Sequence, residues 1–370
     1  MAPPLLPNPL ILDRPNLQSF YFFDPAADPP QWRPASSSMD ITINPDSHQH
    51  HPTDKLHLIT WNIDFQVPFP QERMTAALGH LQHIFSHSSP TNTTRGATII
   101  FLQEMISSDL DLIQETPWIR DRFYITDLSP ASWRRSSYGT TTLVDRRLDV
   151  HRVFRVPYAT SSMQRDALFV DVGLNFPSAL ATPTAGGGEQ QGRVIRLCNT
   201  HLESLASGTP KRPLQMKRAA GFMHGHDTTN PGGLLLPTPH AEILAGDLNA
   251  FAPEDAHLPS TCGLRDAFLV LGGVEDTEES YTWGKQNPAW FAGRFPDARL
   301  DKVLFCGGVE VVRLERIGVG VVAKMAFDGG DRGEEEEDDD DGDEEEEVWA
   351  TDHYGLEAEF LITSAASDSF

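Results

Sequence analysis

The chain has 370 residues, 39% of them apolar and 22% charged, which is enough apolar material for one large core and too much for a disordered polyelectrolyte. Its formal charge of −24 would ordinarily argue against a nucleic-acid partner, because phosphates are gripped by lysine and arginine. Residues 328–347 hold fifteen acids and one arginine, however, so they account for −14 and leave only −10 for the rest of the chain.

No run of eighteen apolar residues occurs, and the opening MAPPLLPNPL carries prolines in its apolar stretch and no basic flank. Neither membrane insertion nor secretion is expected. Three cysteines (Cys198, Cys262, Cys306) cannot all pair, and two of them lie in strand-like apolar runs where a reduced thiol packs as a small hydrophobe. That points to a reducing compartment, nucleus or cytoplasm. Nothing resembles a coiled coil, so a monomer is expected.

In chain order, residues 1–55 form a proline- and serine-rich extension. Within it, aromatics flank the turn-forming DPAADPP segment and predict a small hairpin over Phe20–Trp32. His48, His50 and His51 read as a solvated linker tract. A domain is predicted over 56–363, with a tail at 364–370. Leu56, Leu58 and Ile59 lead a strand into TWNID (Thr60 to Asp64), and Met74, Ala77, Leu78, Leu81, Ile84 and Phe85 recur at helical spacing over 70–85. ATIIFLQ reads as a fully buried strand ending in LQE (Leu102 to Glu104), with Ser107 or Ser108 capping a helix to about Glu115. Further strands are predicted over Tyr138–Val144, Ala167–Phe176, Val194–Thr200, Ala241–Ala245, Leu300–Phe305 and Leu356–Ile362. Loops fall at 181–193 and 228–239. The acidic run at 328–347 has no apolar periodicity and reads as a solvated, disordered insertion, with docking of a basic protein partner as its functional reading.

Polar motifs end these strands in a fixed order: TWNID, LQE, NTHLES (Asn199 to Ser204), GDLN (Gly246 to Asn249), RLDKV (Arg299 to Val303) and TDHYGL (Thr351 to Leu356). They supply the carboxylates, amides and histidines that a hard metal ion and a phosphodiester need in order to react. A glutamate straight after a buried strand is a costly charge unless it has a partner, which makes Glu104 the first metal ligand. Asp247 and Asn249, two apart on an extended segment, share a face, and Gly246 permits close backbone approach. There is no G-x-S-x-G elbow and no CxxC pair, so a serine hydrolase and structural zinc of that type are not expected.

The order and wording of these motifs resemble the endonuclease/exonuclease/phosphatase superfamily over about residues 56–362. TWNID, THLES and the final DHxGL are most similar to its tyrosyl-DNA phosphodiesterase 2-like branch. The resemblance implies an α/β fold: a four-layer α/β/β/α sandwich of two stacked mixed β-sheets flanked by helices, DNase I-like, with the site at the top. It also implies Mg²⁺, or Mn²⁺, at Glu104, with Asp64 and Asp352 facing the metal or its waters. Asn62 would hold the metal's water shell and the scissile phosphate, Asp247 would handle the attacking water or the leaving-group proton, and Asn249 would donate to the phosphate. His353, its ring held by Asp301, would neutralise charge in the pentacovalent transition state. His201 would contact the phosphate or a carboxylate, Ser204 and Tyr138 the phosphate, and Trp283 a stacked base or adduct.

The implied substrate is nucleic acid, DNA ahead of RNA, with release of a 5′-tyrosyl adduct in DNA repair as the narrow form. That branch carries arginines two residues after the THLES serine and two after the GDxN asparagine, where this chain has Ala206 and Phe251. Lys211, Arg212, Lys217 and Arg218 could supply the grip from a shifted register. The alternatives are another phosphoester, such as an RNA end or a nucleotide, and an acidic-loop interaction protein on the same scaffold.

Overall fold

Central strands that are apolar on both faces must be covered on both faces, and this dictates the layering. In the computed structural model, which describes residues 10–35, 54–87, 96–134, 137–174, 193–225, 236–325 and 346–363, two sheets pack face to face with helices outside. One sheet runs Val309–Ile317, Gly355–Ile362, Lys55–Asn62, Ala97–Met105, Gly139–Asp145, Phe123–Ile125, Phe20–Asp24 and Gln31–Ala35. The other runs Asn16–Leu17, Asp149–Pro157, Asp166–Leu174, Arg193–Thr200, Ala241–Asp247, Asp301–Gly307 and Arg265–Asp266.

Side-chain alternation divides the apolar residues among three interfaces. Leu58, Ile99, Phe101, Leu197, Ile243, Phe305 and Phe360 fill the space between the sheets. Ile59, Trp61, Ile100 and Leu102 face outward onto helix residues Met74, Leu78, Leu81, Leu110 and Ile113. On the far side Phe154, Phe169, Cys198 and Leu244 meet Met216, Ala219 and Phe222. Three interfaces make four layers, the α/β/β/α sandwich expected.

Each sheet contains a parallel pair joined through a helix. Lys55–Asn62 is parallel to Ala97–Met105 by way of Pro70–His87, and Arg193–Thr200 to Ala241–Asp247 by way of Arg212–Met223. Parallel pairing brings TWNID beside LQE and NTHLES beside GDLN, each at carboxyl ends of strands. Asp301 enters antiparallel, in register with Asp247, and Leu356 pairs with Thr60, so the last two motifs arrive at the same rim.

Several expectations need correction. Residues 16–35 are part of the sheets: Tyr21 pairs with Ile125 and Asn16 with Arg155, with Phe20 edge-on to Tyr124, so the folded unit begins well before residue 56. The strands Asp149–Pro157 and Val309–Ile317 escape the sequence reading because arginines and acids interrupt their apolar pattern. Arg155 is in fact fully buried between Asp166 and Asp127, 2.9 and 3.2 Å away. Ser107 lies inside its helix rather than capping it. The amide of Ile106 instead donates to Asp109 Oδ2 at 2.8 Å, and burial pushes that carboxyl up to about 6. The last two acids of the acidic run, Glu346 and Glu347, are strand residues paired with Val322–Met325, where Lys324 stands opposite Glu347. The histidine tract at 48–51, most of the two predicted loops, the rest of the acidic run and the tail lie outside the described residues. Among the described residues no helix is long and apolar enough to cross a membrane.

Gly246 has φ +143°, and a Cβ there would stand 1.9 Å from the carbonyl oxygen of Thr200 on the neighbouring strand. Backbone cannot yield as a flexible side chain can, so Gly246→Ala should cost about 3 kcal/mol or more in denaturant unfolding, or prevent soluble folding. A midpoint unchanged from wild type would show that the strand can shift.

Candidate active site

Three motif residues leave their strands through the left-handed region: Asp64 at φ +56°, Glu104 at +58° and Asn249 at +49°. For side chains other than glycine this is strained, and here it turns each polar group off the strand end and into the rim. Local bonds hold the turns. The Asp64 amide donates to Asn62 Oδ1 at 2.9 Å, and the Asn249 amide to Asp247 Oδ1 at 2.9 Å. The Thr351 hydroxyl donates to the Asn62 carbonyl at 2.7 Å and accepts from the His353 amide at 3.1 Å, joining the first motif to the last.

His353 sits at the centre. Its Nδ1 donates to Asp301 Oδ2 at 2.7 Å, and the Asp301 and Leu300 amides are in turn anchored on Thr282 Oγ1. Nε2 lies 3.8 Å from both Asp247 Oδ2 and Asp352 Oδ1, and 3.4 Å from Asn62 Nδ2. Burial alone would lower the pKa of this ring, but Asp301, Asp352 and Asp247 together raise it well above the ordinary value. The three carboxylates favour its protonated form.

Asp247 takes a hydrogen bond from Asn62 Nδ2 at 3.0 Å and lies 3.2 Å from His201 Nε2. Burial opposes its ionisation, yet the rings of His201 and His353 outweigh burial and hold the carboxyl well below the usual range. His201 receives a hydrogen bond from Arg165 at Nδ1, so its ring proton is on Nε2, facing Asp247. Burial, with Arg165 beside it, lowers this histidine and keeps it neutral.

On the other sheet's rim, Glu104 accepts from the Phe65 amide at 3.3 Å and has Arg165 and His201 within 3.8 Å of its other oxygen. Burial raises its carboxyl against the pull of His201 and Arg165, and Asp64 and Asp352 add to the rise. Burial likewise pushes Asp352 up to about 6; its Oδ2 accepts from Trp283 Nε1 at 2.8 Å, whereas its Oδ1 is buried without a hydrogen-bond partner. A buried carboxylate, Glu104, and a half-buried one, Asp352, whose inner oxygen is orphaned, fit a hard divalent cation that takes one or two protein oxygens and keeps its waters.

The structure alters some expected roles. Asp64 is committed to protein donors: Arg73 holds its carboxylate at 3.1 Å and its carbonyl at 3.0 Å, and the Gln66 amide takes its other oxygen. It shapes the turn rather than adding a bare ligand. The Ser204 hydroxyl reaches Asn249 Oδ1 at 2.9 Å, and Asn249 Nδ2 donates to the Leu202 carbonyl, so the serine orients the asparagine. The Tyr138 hydroxyl donates to the Met163 carbonyl at 2.8 Å while its ring stacks on Phe65, so it contributes a face and not a phosphate contact. Three of the four basic residues that follow THLES are spent internally. Arg212 is buried against Asp255 at 2.7 Å, Lys211 binds Glu203 at 2.9 Å and Arg218 lies 3.7 Å from Asp13.

Sequence reasoning missed Arg165, Arg73 and Arg134, which lie outside the six motifs. Arg134 and Arg165 line a cleft with Tyr138, Gly139, Thr140, Gln164, Asp166 and His201. It carries two cations and meets the catalytic rim at His201. Trp283, expected to stack substrate, is half-buried and hydrogen-bonded to Asp352, with Phe291 and Phe295 packed on it. The open rings beyond it are Trp290, 65% exposed, and Phe295, 56% exposed.

The sequence profile of the Endonuclease/Exonuclease/phosphatase family matches residues 59–353. A Caenorhabditis elegans protein named 5′-tyrosyl-DNA phosphodiesterase is 24% identical over 262 residues, covering 70% of this chain, and the chain spans 60% of that relative's length. Among solved structures, TDP2 from C. elegans superposes with TM-score 0.56 at 20% identity, over 83% of this chain and 75% of that one. D. rerio TDP2 complexed with single strand DNA product gives 0.55 at 18%, over 83% and 98%. An endonuclease/exonuclease/phosphatase family protein from Bacteroides thetaiotaomicron gives 0.53 at 12%, over 84% and 99%. These likenesses establish the fold, and the profile spans the same motifs that the rim brings together, from the first to the last; the chain belongs to the endonuclease/exonuclease/phosphatase family.

Proposed function

We propose that the chain is a divalent-cation-dependent phosphodiesterase that cleaves nucleic-acid phosphodiesters, DNA ahead of RNA, with a 5′-tyrosyl adduct as the leading substrate and DNA repair as the setting. The observation that carries this reading is the His353 ring, clamped by Asp301 and aimed, together with Asn62, at the space between Asp247 and Asp352. A phosphate entering there meets two donors on its non-bridging oxygens, where charge accumulates as water attacks. Asp247, held ionised, accepts a hydrogen bond from that water and orients it in line with the leaving oxygen. Its low proton affinity suits it to orientation more than to proton removal in the ground state. Glu104 and Asp352 would hold Mg²⁺, or Mn²⁺ in its place, which supplies a Lewis acid for the phosphate charge. DNA is favoured by the name of the curated relative and by the single-strand product in the D. rerio structure. In the cleft that it lines with the buried Arg165, the half-buried Arg134 offers a cation where Ala206 and Phe251 supply none, and the Trp290–Phe295 face offers rings for unpaired bases.

Hydrolysis of a 5′-phosphotyrosyl oligonucleotide with Mg²⁺, beside a plain 5′-phosphate and an abasic duplex, tests the reading directly. Glu104→Ala and Asp247→Asn should each lower kcat by about 10²–10³-fold while melting cooperatively. No release from any of the three substrates would retain the fold and redirect the search to RNA ends and small phosphodiesters.

The pH profile gives a second check. The folded pKa of His353 is raised, so the charged form and its contribution to stability are fully present below the unfolded value of 6.5 and are lost as pH rises through the folded value. The rate should therefore fall on the alkaline side. Asp301→Asn removes the principal carboxylate and should move that limb of kcat/KM to lower pH. An unmoved limb would assign it to another group.

Trp290→Ala and Arg134→Ala should raise KM for single-stranded substrates with kcat nearly unchanged. A stacking contribution of about 1–3 kcal/mol corresponds to roughly 5- to 150-fold for the tryptophan. Equal losses on a mononucleotide ester would remove the base-stacking role.

A further inference from the structure

The strand that ends in Asp247 begins at Ala241, and its second residue carries a different chemistry. His224, Glu242 and Cys306 place a ring nitrogen, a carboxylate oxygen and a sulfur within 4.8 Å of one another, the one such trio found among the described residues. Five residue steps along the strand take Glu242 to Asp247, about 17 Å at ~3.3 Å per step, so the trio lies at the end of the sheet away from the catalytic rim.

The fold builds this cluster from three elements. Glu242 and Cys306 are directly opposed across adjacent antiparallel strands, which puts both side chains on one face. His224 follows the helix Arg212–Met223, which packs over that face. The His224 Nδ1 is 2.8 Å from Glu242 Oε2, the Cys306 thiol donates to the same oxygen at 2.7 Å, and Sγ lies 3.8 Å from Nδ1. The other ring nitrogen, Nε2, donates to the Cys262 carbonyl at 2.8 Å. That bond fixes the ring plane and turns Nδ1 toward the carboxylate and the sulfur, as the outer partner of a metal-bound imidazole does. His224 is 22% exposed, so an ion can enter from solvent.

We propose that His224, Glu242 and Cys306 form a second metal site, for a borderline-soft divalent cation of the zinc class, with a fourth position left to water. Sulfur and imidazole disfavour Mg²⁺, which seeks oxygen, so this site and the Glu104 region would select different ions. Binding exchanges two protons for the metal: the Cys306 S–H proton and the Nδ1 proton that His224 directs at Glu242 both leave to solvent, the thiolate and carboxylate together balance the dication, and no electron is transferred. The ion would tie the helix end to two strands of the sheet.

The test uses the full chain stripped with a chelator and titrated with Co²⁺, then Zn²⁺, in the presence of excess Mg²⁺. Wild type should develop a thiolate-to-cobalt charge-transfer band at one equivalent, displaced by Zn²⁺ and untouched by Mg²⁺, and Zn²⁺ should raise its melting temperature. Cys306→Ser and His224→Gln should each lose the band and weaken Zn²⁺ binding by more than the ~10–100-fold that loss of an outer partner costs. Cys262→Ser should keep the band, since only its backbone carbonyl takes part. Hydrolysis supported by Mg²⁺ should be unchanged in all three, which separates failure of this site from failure of the catalytic reading. Absence of a band in wild type, or a band that survives in Cys306→Ser, would overturn the proposal and leave the trio a hydrogen-bonded network. Should Cys306→Ser fail to fold, His224→Gln, at the more exposed position, decides the question.

Discussion

The catalytic groups are divided between two sheets whose strands share no hydrogen-bonded ladder, so the site exists only if those sheets are held in fixed register. Asn62, Glu104 and His353 stand on or beside one rim, and His201, Asp247 and Asp301 on the other. Between the sheets the packing is apolar and could slide. Just below the rim it is interrupted by a buried amide pair, with Gln103 Nε2 donating to Asn199 Oδ1 at 2.8 Å and to Thr60 Oγ1 at 3.0 Å. Asn199 Nδ2 in turn donates to the carbonyls of Leu102 and Thr141. A shift of either sheet would strand these groups in a dry interior, at about 1–3 kcal/mol each. Gln103 Oε1 already lacks a partner, so the tie is held at some cost to stability.

This tie gives a physical meaning to motif residues that touch no substrate. Thr60, Gln103 and Asn199 directly precede candidate catalytic residues, or stand two positions before them, and they fix the distance between the two half-sites. Thr351, Thr282 and Ser204 serve similarly one layer up, bonding Asn62, Asp301 and Asn249 in place. A set of hydrogen-bonded positioners surrounds a smaller set of reacting groups, which is what a reaction that relies on orientation and electrostatics requires.

Charge at the rim follows the same division of labour. Asp301, Asp352 and Asp247 keep a proton on His353, while burial and Arg165 on the other side keep His201 neutral, so two histidines in one site are driven to opposite states. The carboxylates diverge as well: Asp247 between two histidines is held ionised, and Glu104 and Asp352, less well compensated, resist ionisation. The His224–Glu242–Cys306 trio lies at the far end of two strands that also reach the rim: Glu242 shares a strand with Asp247, and Cys306 shares one with Asp301.

The motifs, their order and the buried strands that carry them are legible in the amino-acid sequence alone. Continuous apolar runs and strand-end polar residues are local signals, and they mark Asn62, Glu104 and Asp247 at strand ends, while the resemblance to a known family adds Asp301 and His353 to the same site. Compensation at a distance is not a local signal. Whether a buried charge is tolerated depends on a partner far away in the chain, which is why the strand carrying Arg155 does not look like a strand. For the same reason Arg165, which belongs to none of the six motifs, gives no sign of its place beside His201 and Glu104. The resemblance likewise implies a phosphate contact for Ser204 and Tyr138, when Asn249 and the Met163 carbonyl have already claimed their hydroxyls. Tertiary structure alone decides those allegiances, because a hydrogen bond is made with whichever group the fold brings within about 3 Å, and sequence spacing does not record that distance.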